Sequence, residues 1–217
     1  MKLQSFTFNP LQENTYIIWC ENTLDCAIID AGNYDSTENA ELKDFIVQNQ
    51  LNPKFLLGTH AHIDHIFGNW FVKQTWNLPY YLNKADEVMF ARSEQMAALW
   101  QLNYTPSPLP DFELNHGDLL KIGDVEIEVR FVPGHAPGHV VFIHHASKTV
   151  IGGDTLFRGS IGRTDLPGGN HDLLLQKIKE EMFSLPDDYI VHSGHGPETS
   201  IGFEKQHNPF FMSTHWE

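Results

Sequence analysis

Cysteine is nearly missing from this 217-residue chain. The two present, Cys20 and Cys26, are too few for a disulfide framework and lie outside any Cys-x-x-Cys spacing, so buried free thiols are the expectation. Lysine and arginine are also scarce, 14 against 28 aspartates and glutamates, leaving a net charge of −14. Neutralising phosphates needs clustered cations, so no nucleic-acid partner is expected. No apolar run approaches the ~18 residues of a membrane span, and Met1 to Pro10 has no apolar core of signal-peptide length. The expectation is a cytoplasmic protein with no membrane partner. Low-complexity tracts are missing too, and with 41% hydrophobic and 19% charged residues the chain reads as one ordinary globular domain over residues 1–217.

What the sequence does have in excess is histidine, with 13. Their placement follows from the strands. Thr15 to Cys20, Cys26 to Asp30 and Phe55 to Leu57 read as strands, with a helix over 37–50 that turns Leu42, Phe45 and Ile46 to one side. Helices are expected over Ile66 to Trp76 and Ala85 to Trp100, and the prolines at 106, 108 and 110 prevent the second from continuing. Alternation of Val125, Ile127, Val129 and Phe131 with Glu126, Glu128 and Arg130 marks a hairpin after the Gly123-Asp124 turn. A second hairpin joins Val140–Ile143 to Thr149–Ile151. A helix over Asp172 to Phe183, a strand over Tyr189 to Val191 and a terminal helix near Thr199 to Lys205 complete the reading. Strands in two batches, each followed by helices, predict two sheets face to face with helices outside.

Each candidate metal ligand follows a short apolar strand. His60 and His62 come after Phe55-Leu56-Leu57, His135 after Val129 to Val132, Asp154 after Val150-Ile151-Gly152-Gly153, and His195 after Tyr189-Ile190-Val191. Strand ends are where a rigid scaffold presents site residues. The two-residue step from His60 to His62 aims both imidazoles to one side of an extended turn, while Asp64 and His65, one turn later, point elsewhere. Two metal positions follow. A donor set of His and Asp without thiolate suits Zn²⁺, Fe or Mn²⁺, and a carboxylate such as Asp154 can bridge two ions.

Four segments, His60-Ala61-His62-Ile63-Asp64-His65, Gly134-His135-Ala136-Pro137-Gly138-His139, Gly152-Gly153-Asp154-Thr155-Leu156-Phe157 and Ser193-Gly194-His195-Gly196-Pro197, resemble in order the motifs of the metallo-β-lactamase superfamily. Within it they look most like glyoxalase II (hydroxyacylglutathione hydrolase), especially its short bacterial members. The resemblance implies an α/β (α+β) fold, the αββα sandwich. It implies two divalent ions, with zinc first and iron or manganese as alternatives: one on His60, His62 and His135, the other on Asp64, His65 and His195, with Asp154 between them. His139 would hydrogen-bond behind the ligands. Asp64 is the candidate catalytic residue, orienting the nucleophile while ligating.

Two cations lower the pKa of water from ~16 toward neutrality and so supply hydroxide without a separate base. A departing amine must be protonated, whereas a thiolate leaves unaided, so with no general acid visible a thioester is the easier small-molecule substrate. The resemblance points to S-acyl glutathione such as S-lactoylglutathione. Longer glyoxalase II enzymes carry a C-terminal glutathione-binding helical domain, for which residues 1–217 offer no counterpart. Where that family has a Lys and a Tyr on glutathione, this chain has Gly162-Arg163-Thr164-Asp165. Arg163 is therefore either a substrate contact or the partner of Asp165 in a loop ion pair. Those four residues also resemble the persulfide dioxygenases, which use a single iron and are the principal alternative. A lactonase and a metal-stapled binding scaffold are further alternatives. His116, His144, His145, His171, His207 and His215 read as surface or loop histidines, with His171 a candidate for the pocket lining. His192 is placed to orient the last ligand loop or to do nothing. The aromatic stretch from Met89 to Tyr104 reads as core packing, with a lid or a homodimer surface as alternatives.

Overall fold

The computed structural model describes residues 1–212. Its first sheet opens with an antiparallel meander of β1 (Lys2–Phe8), β2 (Glu13–Trp19) and β3 (Asp25–Ile29). Helix α1 (Ser36–Gln48) then crosses over to β4 (Asn52–Leu57), which lies parallel to β3. The helix starts where it does because the Asp35 carboxylate accepts the N–H groups of Thr37 and Glu38, and it buries Leu42 and Ile46, one turn apart. Helix α2 (Asn69–Trp76), β5 (Tyr80–Leu82), α3 (Val88–Trp100) and β6 (Phe112–Glu113) extend the sheet by two more parallel pairings. Its strand order is simply β1 to β6 in sequence.

The second sheet is built from two hairpins, β7 (Leu119–Ile122) with β8 (Val125–Phe131), and β9 (Val140–His144) with β10 (Thr149–Gly153). A small hairpin of β11 (Leu156–Phe157) and β12 (Ser160–Ile161) follows, then α4 (His171–Lys177). The chain returns to the sheet as β13 (Ile190–Ser193), parallel to β10, pairs β14 (Thr199–Ser200) against it, and continues as α5 (Ile201–His207). The resulting order is β14-β13-β10-β9-β8-β7.

Period-two burial makes the layers. Ile18, Ala27, Ile29 and Leu57 of the first sheet face Ile127, Val129, Val140, Phe142 and Ile151 of the second. The opposite faces are covered by helices: Ile17, Ile28 and Leu56 pack with Leu42, Ile46 and Val72, and Val141, Ile143, Val150 and Val191 pack with Leu174, Ile178 and Ile201. Because β3, β9 and β10 are covered on both sides, they read as continuous apolar runs rather than alternating ones. The αββα arrangement expected from the sequence is the one present. Among the described residues no helix is long and apolar enough to cross a membrane, and Cys20 and Cys26 are free, buried thiols.

Several boundaries differ from expectation for local reasons. The helix expected from Ile66 begins only at Asn69, because Ile63–His65 form a separate 3₁₀ turn and Gly68 donates its N–H to the Ala31 carbonyl. The helix expected from Ala85 starts as a 3₁₀ turn at Lys84–Glu87 before α3 proper. The helix expected to Phe183 widens into a π turn over Ile178–Met182, and Thr199 is drawn into the sheet by β13. Strand β1 was not anticipated: its polar residues Gln4, Ser5 and Thr7 hide an edge strand whose stability comes from pairing with β2.

Phe142 is almost fully buried between the two sheets. Phe142→Ala is expected to lower unfolding free energy by roughly 3–5 kcal/mol, read as a lower urea midpoint at unchanged slope.

Candidate metal centre

Four strands deliver the cluster, all at their carboxyl ends. Asp30 follows β3, His60 and His62 follow β4, Asp154 follows β10 and His195 follows β13. His135 comes from the loop between β8 and β9, and Asp64 and His65 from the 3₁₀ turn after His62. Asp30 has a left-handed backbone, φ 52, which a non-glycine residue holds only when its surroundings compensate. The compensation is visible: its carboxylate accepts the Thr59 N–H and hydroxyl, both at 2.6 Å, and the His65 Nδ1 proton at 3.1 Å. Gly194 is required by proximity, since a Cβ there would lie 2.2 Å from Asp154 Oδ1.

Two groups of donors face each other. His60, His62 and His135 bring ligand atoms within 4.8 Å of one another, and Asp64, His65 and His195 do the same. Asp154 lies between them, with Oδ2 3.4 Å from His135 Nε2 and 3.6 Å from His195 Nε2, and Oδ1 3.4 Å from His65 Nε2. Asp64 Oδ2 is 3.1 Å from His195 Nε2.

The outer nitrogens set which lone pairs point inward. The Nδ1 atoms of His60, His65, His135 and His195 sit against Thr59 Oγ1 (3.0 Å), Asp30 Oδ2 (3.1 Å), the Arg163 carbonyl (2.8 Å) and the Gln12 carbonyl (3.1 Å). A proton on each Nδ1 leaves Nε2 an acceptor aimed at the cluster. His62 is turned the other way, its Nδ1 2.8 Å from His135 Nε2. Buried His60 Nε2, His65 Nε2 and Asp154 Oδ1 find no hydrogen-bond partner among the described residues. Inward lone pairs without donors, on imidazole and carboxylate, are what a divalent cation satisfies.

The titration behaviour agrees. Burial and the neighbouring imidazoles hold His60 well below the ordinary range and push His62 down to about 3, while burial lowers His135 despite Asp154. All three are neutral at pH 7, as ligation requires. Burial also disfavours protonated His65 and His195, but the carboxylates of Asp154 and Asp64 outweigh it and raise both. Burial opposes ionisation of Asp154 and Asp64, yet the histidines around them prevail and both stay below the usual carboxylate range. The second group is therefore a charge-balanced cluster in which a cation can replace protons.

All seven expected ligand residues, His60, His62, Asp64, His65, His135, Asp154 and His195, are thus brought together. His139 stands behind them, accepting the Asp154 N–H at 3.0 Å and stacking on His60 at 4.7 Å between ring centroids. A cavity of about 430 Å³ opens over the cluster, with Met89, Met96, Trp100, Phe157, Ile161 and Leu166 among its apolar walls. Arg163 reaches its rim but is held by Asp165 in a bidentate pair, both bonds 2.8 Å. His171 is not among the lining residues; it starts α4 beside Thr164. His144, expected at the surface, is buried and bonds Ser147 Oγ at 2.5 Å. His192 sits 3.5 Å from Glu198, and His215 lies outside the described residues. In the aromatic stretch, Met89, Phe90 and Ala97 are core, whereas Leu99 is 76% exposed.

Sequence reasoning missed Asp30, Thr59, Asp86 and Arg92. Thr59 carried a signal, since it adjoins the ligand motif after β4, and Asp30 carried another, since it is an acidic residue at the end of the apolar run of β3. Asp86 carried none: it is buried and accepts the N–H groups of Ala61 (2.7 Å) and Gly138 (2.5 Å), clamping two ligand loops from 25 and 52 residues away in sequence.

Two donor groups sharing one carboxylate, at the rim of an αββα sandwich, define a metal-binding hydrolase scaffold. The sequence profile of the metallo-beta-lactamase superfamily matches residues 8–195, and the chain belongs to that superfamily. It is 36% identical over 215 residues to the hydroxyacylglutathione hydrolase GloC of Haemophilus influenzae, spanning 98% of this chain and 99% of that protein. Among solved structures it is similar to the BLEG-1 B3 metallo-beta-lactamase (TM-score 0.89, 34% identity, 98% of this chain and 100% of that one). It is also similar to TTHA1623 in a di-iron-bound form (TM-score 0.85, 36% identity, 95% of this chain and 99% of that one).

Asp86→Ala leaves two backbone N–H groups without acceptors and is expected to cost about 2–5 kcal/mol of stability. Thermal melts and metal content of the variant check this, and content should fall because both loops lose their anchor.

Proposed function

We propose that the chain is a binuclear metallohydrolase of thioesters, of the glyoxalase II type, acting on S-acyl glutathione such as S-lactoylglutathione. The observation that carries the reading is Asp154 set between two complete donor groups, with one oxygen toward His65 and the other toward His135 and His195. His60, His62 and His135 would hold one ion, and Asp64, His65 and His195 the other, zinc being our first assignment. Bound divalent ions supply a water of near-neutral pKa and a Lewis acid for the carbonyl.

The residues around the ions do the remaining work. Asp64 Oδ2, at the cavity and beside His195, accepts a hydrogen bond from an attacking water and orients it. The apolar walls exclude bulk water and strengthen the electrostatics inside. Beyond the ligand residues, the titratable lining among the described residues consists of Arg92 and Arg163, and neither can give up a proton at neutral pH. An amine leaving group would therefore lack an acid. A thiolate needs none, which favours thioesters over amides and β-lactams. Free buried thiols are in keeping with a cytoplasmic setting, which we assign with the function.

The Gly162-Arg163-Thr164-Asp165 stretch, by its resemblance to the persulfide dioxygenases, favours the alternative of a mononuclear iron enzyme of that type, and one experiment separates the two. Metal content per chain is measured together with turnover of S-lactoylglutathione and of glutathione persulfide. Two ions with thioester hydrolysis are expected; one iron with oxygen consumption sinks the proposal. Asp154→Ala should drop the second ion and lower kcat by 100-fold or more, on the order of one lost electrostatic stabiliser.

A further inference from the structure

The cavity over the ligand cluster adjoins a second one of about 590 Å³ along α3. His62, Met89, Arg92, Met96 and Leu166 line both, while Val88, Ala91 and Gln95 line the outer one alone. Helical spacing explains the division. Met89, Arg92, Met96 and Trp100 recur every three or four residues and form one stripe, with Val88, Ala91 and Gln95 on the adjacent stripe.

A thioester has two halves, and its carbonyl must lie at the cluster. With one half in the inner cavity, the outer one, which shares five lining residues with it and is larger than the roughly 270 Å³ recess beside Leu11 and His195, can take the other. The chain carries a net charge of −14, and ions held by the ligand residues would act at the reacting carbonyl, so a carboxylate on the far half of the ligand needs a cation of its own along the cavity wall. Two arginines line the inner cavity. Arg163 is already neutralised by Asp165, whereas Arg92, half-buried at the junction of the cavities, makes no hydrogen bond or ion pair with any described residue.

We propose that Arg92 is the specificity-determining residue for a carboxylate-bearing thiol half, seated in the outer cavity along α3. This rests on the thioesterase reading above. A guanidinium takes a carboxylate through two parallel N–H bonds, a match a lysine makes only in part.

The test uses the metal-loaded full chain and two lactoyl thioesters, one of glutathione and one of the neutral thiol N-acetylcysteamine. Arg92→Met should cut the preference for the glutathione ester roughly 10- to 100-fold, mainly through KM, as expected for one charge-assisted contact, and Arg92→Lys should restore part of it. Arg163→Met should change that preference by less than about threefold, since its charge is already paired. Calorimetry with free glutathione and with its diethyl ester reads the same contact without turnover. Glutathione should bind Arg92→Met more weakly by a similar factor, and the diester should not. Equal losses on both thioesters, or a loss in Arg163→Met instead, overturn the proposal. Arg92-dependent glutathione binding without thioester hydrolysis keeps this subsite and removes the thioesterase reading; hydrolysis without Arg92 dependence does the reverse. Neither binding nor hydrolysis removes both.

Discussion

Everything at this site depends on imidazole lone pairs being held toward a common point. Four of the five clustered histidines have their outer nitrogen against an oxygen, three of them from a distant segment (Asp30, the Arg163 carbonyl and the Gln12 carbonyl) and one, at His60, from the adjacent Thr59. These contacts decide tautomer and ring orientation before any cation arrives. Their sources span the chain, so the two sheets must pack correctly for the donors to face one another. Electrostatics follows from that packing. At His60, His62 and His135 burial and neighbouring imidazoles outweigh the pull of the nearby carboxylates and the rings stay neutral, whereas at His65 and His195 Asp64 and Asp154 outweigh burial. One centre thus holds two unlike environments, joined by a carboxylate common to both.

The ligand set was legible in the sequence because each member follows a short apolar strand, and strand ends in such a sandwich gather at one rim. The layers were legible for the same reason, since period-two alternation in β8 and apolar runs in β3 and β10 state which faces are covered. What could not be read were features created by tertiary contact. Asp86 looks like any acidic residue at a helix start until the Ala61 and Gly138 amides are seen to converge on it. Strand β1 exists because β2 offers it a partner. Arg163 could be read either way, and only the coordinates show its charge spent on Asp165.

The cavity walls are separated from the donor residues in the same way. The donors sit on loops pinned to strands, whereas Met89, Arg92, Met96 and Trp100 of α3, with Phe157, Ile161 and Leu166, wall the space above them. The side chains that α3 contributes can change without disturbing the donors, because none of the seven expected ligand residues lies on that helix.

Strand β2 also reaches across to the end of the other sheet. Glu13 bridges to His195, the Asn14 N–H donates to the Gly194 carbonyl at 2.7 Å, and the Asn14 side chain donates to Ser193 and Gly196. The start of β2 therefore holds His195 in place. The group of His60, His62 and His135 is complete by residue 135, whereas the group of Asp64, His65 and His195 needs β13 docked beside β2. The second donor group is therefore the one that depends on both ends of the fold, and loosening β2 from Ser193 and Gly194 would disturb it while leaving His60, His62 and His135 on their own strand ends.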